Sequence, residues 1–367
     1  MSIISIIYAY HNRDTARIQA SLESLSGQTQ QNFEVVFVDY GSREYYSNEV
    51  KAVVEDYQFV NYHYIGHPGL LWCKARALNY GIQQAVQTNI FIADADVVFH
   101  SDFVKELGKL DTEKAFYLFD IAYLKASVNA EEVLQIDFQK RDYSHVHETF
   151  GVALFSKQAL LKVNGLDNFF HFYGSEDEDL NRRLQHAGYR KQKHKDLLLQ
   201  HIWHERYPKS KDKNFTIQPR LTDVMRLNQK HMLFNDENQV SYTNRGIGLI
   251  RYYTPEDLER LKHPEVIFRL TNICDKVDYY LYFAIEELLN QHKVVKFEFN
   301  ESNLPKSTKY KIKKLLGKTV QAYYPFKTVN DLLLKQILFR FRDYNYSLEI
   351  QKQPNTIHFT IENFNNA

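Results

Sequence analysis

The stretch NIFIADAD, residues 89–96, joins a short apolar run to two acidic residues. Residues 89–93 predict a strand buried on both faces, because such strands read as near-continuous apolar runs. Asp94 and Asp96 follow in a turn, where two carboxylates at this spacing can approach one divalent cation. Mg²⁺ and Mn²⁺ prefer such oxygen ligands. A capped, exposed turn is the simpler alternative, so the surrounding pattern must distinguish the two readings.

The first hundred residues alternate between predicted strands and helices, which indicates a mostly parallel α/β sheet. Strands are predicted at 3–8, 33–38, 60–65 and 89–93. In sheets of this kind, ligands bind beyond the carboxyl ends of the strands. Asp39, Asp94 and Asp96 all lie at that edge, so we expect a ligand site there.

Composition and charge exclude several classes of protein. The chain has 367 residues, with 46 Lys+Arg against 45 Asp+Glu, and this balance argues against a general nucleic-acid binder. No stretch approaches 18 uninterrupted apolar residues, and residues 1–10 lack the basic start of a signal peptide. Cys73 and Cys274 form neither a CxxC motif nor a disulfide framework. These features predict a cytoplasmic globular protein with two domains.

The second domain is expected to begin near residue 239. Residues 239–367 predict a small α+β module that shows no catalytic pattern. One segment of it is strongly basic, with no acid between its six lysines, which are Lys306, Lys309, Lys311, Lys313, Lys314 and Lys318. The simpler interpretation is a solvated helix face, and the alternative is peripheral contact with an anionic membrane surface or an acidic glycan.

The acidic run at 176–179 is expected to begin a helix. On a helical wheel Glu176 and Asp177 lie on the same face as the apolar Leu180, whereas Glu178 points towards solvent. The helix dipole accounts for Glu178 and Asp179. It does not account for two carboxylates aimed at the protein, since an uncompensated inward charge is costly. A cleft that uses them is the better interpretation.

Several motifs, taken in order, resemble family 2 glycosyltransferases. They are the strand and loop at 5–13, the strand end with Asp39, Gly41 and Ser42, the helix at 75–81, and the Asp94-Ala95-Asp96 turn. Residues 150–155 and 172–180 resemble the acceptor half of β-1,4-galactosyltransferases and chondroitin-polymerase-like enzymes. The resemblance covers about residues 1–210, with departures at Ala9, where proline is common, and at Ser175, where galactosyltransferases usually carry glycine.

This resemblance implies a GT-A fold, the Rossmann-like mixed α/β sheet of nucleotide-diphospho-sugar transferases, for a catalytic domain at 1–238. It implies that Asp39 accepts a hydrogen bond from the uracil of a UDP-sugar and that Arg76 lies near the diphosphate. The residues that would line the donor site are Tyr8, Tyr10, Asn12, Arg13, Asp39, Arg76, Asp94, Ala95 and Asp96.

The resemblance also implies a divalent metal, Mn²⁺ or Mg²⁺, and an acceptor site. Asp94, Asp96 and His204 are the expected metal ligands, with His201 as the alternative to His204. Asp177 is expected to act as the general base. The expected acceptor-binding residues are Glu176, Phe172, Tyr173 and Gly174.

The function these features predict is metal-dependent, inverting transfer of a hexose or N-acetylhexosamine from a UDP-sugar to a glycan or glycolipid, in bacterial surface polysaccharide synthesis. A sugar-phosphate nucleotidyltransferase is the enzymatic alternative, although residues 8–14 lack the glycines that such enzymes usually need there. A dehydrogenase is excluded because it would need GxGxxG after a strand, and no predicted strand is followed by that motif. A non-catalytic protein that binds glycans or sugar nucleotides is the remaining alternative, and the oligomeric state stays open.

Overall fold

The computed structural model describes residues 4–205, 212–241, 243, 246–247 and 250–363. The chain divides into two compact units. The first comprises the described parts of 1–66, 72–206 and 225–252, and the second those of 67–71, 207–224 and 253–367. A domain boundary between 238 and 239 stays a prediction.

The described part of the first unit is built on a sheet of nine strands. They are β1 (Ile4–Tyr10), β2 (Phe33–Tyr40), β3 (Val60–Ile65), β4 (Asn89–Ala93), β5 (Val97–Phe99), β6 (Ala115–Leu124), β7 (Tyr143–Ser156), β8 (Arg190–Lys193) and β9 (Leu199–His201). The strand order is β3-β2-β1-β4-β7-β6-β9-β5, and β8 also pairs with β6. Strands β3, β2, β1 and β4 are parallel, whereas β7 is antiparallel to both β4 and β6.

Seven α-helices connect or flank these strands in the described chain. They are α1 (Ala16–Ser26), α2 (Glu44–Val54), α3 (Lys74–Gln84), α4 (Phe103–Leu107), α5 (Lys157–Lys162), α6 (Glu176–His186) and α7 (Val224–Glu237). Short 3₁₀ turns occupy Val133–Gln135 and Phe138–Lys140. This mixed α/β sheet with helices confirms the predicted fold class.

The core of the first unit lies between the sheet and its helices. Every residue of β1 except Ala9 is buried, as its continuous apolar run predicts. Helix α3 approaches the sheet closely at Gly81, where a Cβ atom would overlap the side chain of Ile7. The small residue lets α3 lie flat on β1, and this contact positions the first turn of α3 at the carboxyl edge of the sheet.

The second unit has its own sheet and core. Its strands are β10 (Val266–Thr271), β11 (Val294–Asn300), β12 (Asn345–Gln351) and β13 (Thr356–Glu362), in the order β10-β11-β13-β12. Its α-helices are α8 (Pro255–Leu261), α9 (Cys274–Tyr279), α10 (Ile285–Gln291), α11 (Thr308–Leu315) and α12 (Phe326–Gln336). Helix α8 begins with a capping box between Thr254 and Asp257. π-Helical turns occupy Tyr280–Ala284 and Ile337–Phe341, and a 3₁₀ turn occupies Leu304–Lys306.

Candidate functional site

Three parallel strands bring most of the predicted donor residues to one edge of the large sheet. Strand β1 lies between β2 and β4. The register pairs Tyr10 with Asp39 across β1 and β2. It pairs Tyr8 with Ala93 across β1 and β4. The loop after β1, the end of β2 and the turn after β4 are therefore neighbours in space.

Asp39 is completely buried at the end of β2. The hydroxyl of Tyr62 donates a hydrogen bond to its Oδ2 at 3.0 Å, and the backbone N–H of Ser42 approaches its Oδ1 at 3.3 Å. Burial raises the pKa of Asp39 to about 6, although both hydrogen bonds act in the opposite direction. The carboxylate is thus held in a fixed orientation, and its hydrogen bond to a uracil stays a prediction.

The loop after β1 is held by polar contacts with the end of β2. Asn12 has a left-handed φ of 46°, and its backbone N–H donates to Ser42 Oγ at 2.9 Å. The His11 ring stacks on Trp72 at 5.2 Å between centroids, and its Nδ1–H donates to the Tyr40 carbonyl at 2.7 Å. Burial lowers the pKa of His11 to about 4, so this imidazole is neutral. The loop therefore has one fixed shape beside Asp39.

Three residues that were predicted to bind the donor lie in the interior of the unit. Tyr8, Tyr10 and Arg76 are each at most 2% exposed. The hydroxyl of Tyr8 shares a hydrogen bond with that of Ser21 at 2.7 Å, and the hydroxyl of Tyr10 donates to the Arg13 carbonyl at 2.6 Å. The two tyrosines thus support α1 and the loop from within, and donor contact by these three residues stays a prediction.

Asp96 forms a compact cluster with two histidines. Its Oδ1 lies 3.4 Å from His201 Nε2, and its Oδ2 lies 3.4 Å from His204 Nε2. The three potential ligand atoms all fall within 4.8 Å of one another. Strand pairing accounts for the cluster, because Val97 of β5 is opposite His201 of β9. The structure therefore brings both candidate histidines to Asp96.

This cluster fits a divalent cation. Asp96 is 3% exposed, and its Oδ1 has no hydrogen-bond partner among the described residues, which is costly for a buried carboxylate without a ligand. His204 Nδ1–H donates to the Glu205 carbonyl at 2.9 Å, which leaves the Nε2 lone pair facing Asp96. Burial lowers the pKa of His204 and keeps the imidazole neutral, as metal ligation requires.

Two arginines also face the carboxylate of Asp96. Arg13 Nη1 lies 3.3 Å and Arg17 Nη1 lies 3.8 Å from its Oδ2. If the cluster held a cation, it and the two guanidinium groups would form a positively charged region that suits the phosphates of a nucleotide. Arg13 was predicted to lie at the donor site. The structure also brings Arg17 to Asp96, which the sequence does not indicate because the two residues are distant in the chain.

Lys74 is the centre of a second charged cluster, which the sequence motifs did not reveal. Its Nζ donates to Asp94 Oδ1 at 2.9 Å and lies 3.9 Å from Asp177 Oδ1 and 4.0 Å from Glu176 Oε1. Burial alone would lower the pKa of Lys74, but the three carboxylates outweigh burial and raise it. One lysine thus faces three acids. Asp177 and Glu176 both face this cluster, as the helical wheel predicts.

Among the three carboxylates around Lys74, Asp177 has a pKa that is raised above the usual value of an aspartate. Burial raises the pKa of Asp177 to about 7, and the carboxylates of Glu176 and Asp94 add to this effect while Lys74 opposes it. The pKa of Asp94 is lowered, because its hydrogen bond and charge contact with Lys74 outweigh its burial. Of Asp94 and Asp177, Asp177 is therefore the carboxylate that can take up a proton near neutral pH.

The turn Asp94-Ala95-Asp96 joins the two clusters. Asp96 belongs to the histidine cluster, whereas Asp94 is held by Lys74 and is not in a metal-ligating cluster of the described residues. Ligation of a metal by Asp94 stays a prediction. A second group of potential ligands, Glu106, His194 and Asp196, lies elsewhere, and both oxygens of Glu106 already accept hydrogen bonds from Lys109.

The aromatic loop before α6 has a strained backbone that neighbouring groups hold. Phe172 and Gly174 have φ values of 66° and 99°, and Ser175 follows at 71°. The Phe172 N–H donates to the Trp72 carbonyl at 3.0 Å, and Asn228 of α7 donates to the Tyr173 carbonyl at 3.1 Å. The Tyr173 side chain is 53% exposed. It offers a fixed aromatic surface next to Glu176, while acceptor binding by this loop stays a prediction.

Helix α6 is anchored by a buried ion pair. Asp179 Oδ2 accepts a hydrogen bond from Arg183 Nε at 2.7 Å, and both side chains are 1% exposed. Arg183 also donates to the carbonyls of Val163 and Gly165, and Asn235 donates to Asp179 Oδ1. Interpreting Asp179 as only a helix-dipole residue was wrong, because it has buried partners from distant segments. The pair sets the position of Glu176 and Asp177.

A partly buried acidic turn, two histidines and facing arginines lie together beside the carboxyl edge of an α/β sheet, and they place this unit in the class of α/β proteins with a ligand site at that edge. Comparison with known sequences specifies this class. Residues 5–160 match the family described as Glycosyl transferase family 2, and residues 133–217 match the N-terminal domain of galactosyltransferase. These matches confirm the predicted resemblance: residues 5–160 resemble family 2 glycosyltransferases, and the overlapping residues 133–217 resemble a galactosyltransferase-type segment.

Two curated relatives are both described as uncharacterized glycosyltransferases. The one from Rickettsia felis is 30% identical over 122 residues, and the one from Rickettsia conorii is 27% identical over 154 residues. The matches cover 33% and 41% of this chain but only 19% and 24% of the relatives. A solved structure, the mannosyltransferase PcManGT from Pyrobaculum calidifontis in complex with GDP-Man and Mn²⁺, is 18% identical, with a TM-score of 0.41 over 57% of this chain and 59% of that one.

Proposed function

We propose that this protein is a metal-dependent, inverting glycosyltransferase. It would transfer a hexose or N-acetylhexosamine from a UDP-sugar to a glycan or glycolipid acceptor, in the cytoplasm of a bacterium that makes surface polysaccharide. One observation carries the proposal: a single turn, Asp94-Ala95-Asp96, joins a cluster suited to a cation to a cluster that holds a carboxylate with a pKa of about 7. A transferase needs both functions side by side.

In this proposal the charged groups divide the work. Asp96, His201 and His204 would hold the cation, and the bound cation would neutralise charge on the departing nucleoside diphosphate. Arg13, which faces Asp96, would add positive charge on the phosphate side. Asp39 would accept a hydrogen bond from the uracil at the far end of the nucleotide.

Asp177 would act on the acceptor. Its carboxylate would take the proton of an acceptor hydroxyl as that oxygen attacks the anomeric carbon, and the bond to the UDP oxygen would break on the opposite face. Attack from the face opposite the leaving group inverts the anomeric configuration. Glu176 would hold the acceptor by a hydrogen bond, and the exposed Tyr173 would pack against a sugar ring.

The proposal is tested by incubating the full chain with UDP-, GDP-, CMP- and dTDP-sugars and Mn²⁺, and by following release of the nucleoside diphosphate. We expect release from one or more UDP-sugars, and we expect Asp177→Asn to slow that release by about 10² to 10⁴. Binding without any release or transfer, even with a panel of acceptors, would favour the non-catalytic alternative. Release of pyrophosphate from UTP with a sugar phosphate would favour nucleotidyl transfer.

A further inference from the structure

Helix α11 of the second unit exposes its apolar side chains. None of its residues is buried. Ile312 and Leu315 are 50% and 88% exposed, and Leu316 and Leu304, which flank the helix, are 65% and 61% exposed. A surface helix normally turns such a stripe towards the core of its own domain. The apolar stripe of Ile312, Leu315 and Leu316 instead faces outward.

The orientation of α11 is set by Tyr310. Its ring packs against Tyr323 with 5.9 Å between centroids, and its hydroxyl donates to the Gln321 carbonyl at 2.6 Å. At 3.6 residues per turn, the stripe lies about 140° to 240° around the helix from Tyr310. Tyr310 therefore holds the helix on the unit while the apolar stripe points away from it.

Both ends of α11 are capped, so the stripe is a feature of the folded unit. Ser307 Oγ accepts a hydrogen bond from the Tyr310 N–H at 3.3 Å at the start of the helix. At its end Gly317 has a φ of 67°, and the Lys318 N–H donates to the Lys313 carbonyl at 3.0 Å. Both caps stabilise the helix without any contact from outside the chain.

Lysines surround this apolar stripe. Lys309 and Lys311 lie on opposite sides of it, about 70° to 90° from its centre. Lys306 pairs with Glu301 at 3.2 Å, whereas Lys309, Lys311, Lys313, Lys314 and Lys318 form no ion pair with any described residue. Long lysine stems can follow the edge of an apolar face while their ammonium groups reach anionic groups above it.

We propose that α11, together with Leu304, is a docking surface for an anionic membrane. The apolar stripe would enter the boundary between headgroups and acyl chains, and the lysines would contact the acidic headgroups. An acidic glycan would use the lysines but would leave the exposed Ile312, Leu315 and Leu316 without a role. A lipid surface accounts for both features, because its acidic headgroups would meet the unpaired lysines and its acyl chains would meet the outward apolar stripe. This proposal does not depend on the proposed transferase activity.

Sedimentation of the full chain with lipid vesicles tests the proposal. The probes are vesicles of phosphatidylcholine alone and vesicles that also contain phosphatidylglycerol. We expect binding only to the anionic vesicles and weaker binding as salt is added. Replacing Lys309, Lys311 and Lys313 by Gln should lower the partition coefficient about 100-fold. Because Ile312, Leu315 and Leu316 are exposed, replacing these three by Ser should abolish binding without unfolding the chain.

The matched control replaces Lys51, Lys125 and Lys262 by Gln, which removes the same charge from other exposed sites. This control should bind as the wild type does. Absence of binding to anionic vesicles would overturn the proposal, as would equal loss in the control. Binding that survives the triple Ser variant, together with retention on an acidic polysaccharide, would show that the lysines serve a glycan instead.

Discussion

Asp177 is half-buried beside the carboxylates of Glu176 and Asp94, and Lys74 is the one cation that pairs with all three among the described residues. Asp177→Asn keeps the shape of the side chain and removes its basicity. We expect transfer to fall by about 10² to 10⁴, the usual contribution of a general base, with UDP affinity nearly unchanged. Steady-state kinetics with the identified acceptor measure the loss. Glu176→Gln serves as the comparison and should act mainly on the acceptor KM. Near-normal turnover of Asp177→Asn would place the base elsewhere.

The raised pKa of Asp177 predicts the pH dependence of transfer. A general base acts in its ionised form, so kcat/KM should fall about tenfold per pH unit below pH 7 and level off above it. Lys74 lowers the pKa of Asp177, so Lys74→Gln should move this limb to higher pH. Lys125→Gln, at an exposed pair with Asp142, is the control and should leave the limb in place. An unchanged limb in Lys74→Gln would contradict the assignment.

The sequence predicts the acids of this site better than their partner. Asp94, Asp96 and the inward face of α6 follow from local patterns, namely a strand end and a helical wheel. Lys74 gives no such signal, because its role depends on three carboxylates that lie 20 to more than 100 positions away. His201 and His204 could not be distinguished for the same reason, since the pairing of β5 with β9 brings both to Asp96.

Two ion pairs on helix α6 differ in burial, so their contributions to the free energy of unfolding can be compared on one helix. Asp179→Ala would leave Arg183 buried without its carboxylate, so we expect a loss of about 3 to 5 kcal/mol in the free energy of unfolding. Glu178→Ala breaks the half-exposed pair with Arg182 on the same helix and should cost about 1 kcal/mol or less. Urea unfolding of both variants measures the difference. Equal losses would show that burial does not govern the anchoring of α6.

Strand and helix positions follow from the sequence where a segment has a clear period. The strands predicted at 60–65 and 89–93 are found as β3 and β4 with the same bounds. Strand β6 was not predicted, although its run AFYLFDIAYL is apolar, because no turn signal or motif marked it out. Helix α2 was missed because only Val50 and Val54 of its residues are buried, which leaves too narrow an apolar stripe to recognise.

At the scale of the whole molecule, the two compact units should separate in function. The predicted donor and metal residues all lie in the first unit, so a chain that ends at Tyr252 should keep UDP binding. Residues 67–71 and the described part of 207–224 belong to the second unit. Because the truncation removes the rest of that unit, we expect it to have a lower melting temperature. Thermal shift with UDP and Mn²⁺ measures binding. A folded truncation that no longer responds to UDP would refute this separation.

Among the described residues, every helix is too short or too polar to span a membrane.

The sequence predicted the division into an α/β catalytic part and a smaller α+β part from the change in pattern. It could not predict that 67–71, between β3 and α3, packs with the second unit. This contact includes the Leu71 N–H, which donates to the Tyr346 hydroxyl at 3.1 Å, and pairing over 275 positions leaves no local signal.

The central claim is that Asp96 and its histidines form a metal site that holds the donor diphosphate. Thermal shift of the full chain with UDP, in the presence of Mn²⁺ or of EDTA, tests it most directly. UDP at 100 times its Kd should stabilise the fold by about 2.7 kcal/mol with Mn²⁺ and not with EDTA. Asp96→Ala should abolish this response, and His201→Ala and His204→Ala should each weaken it. Equal stabilisation by UDP in EDTA, or a normal response from Asp96→Ala, would contradict the account.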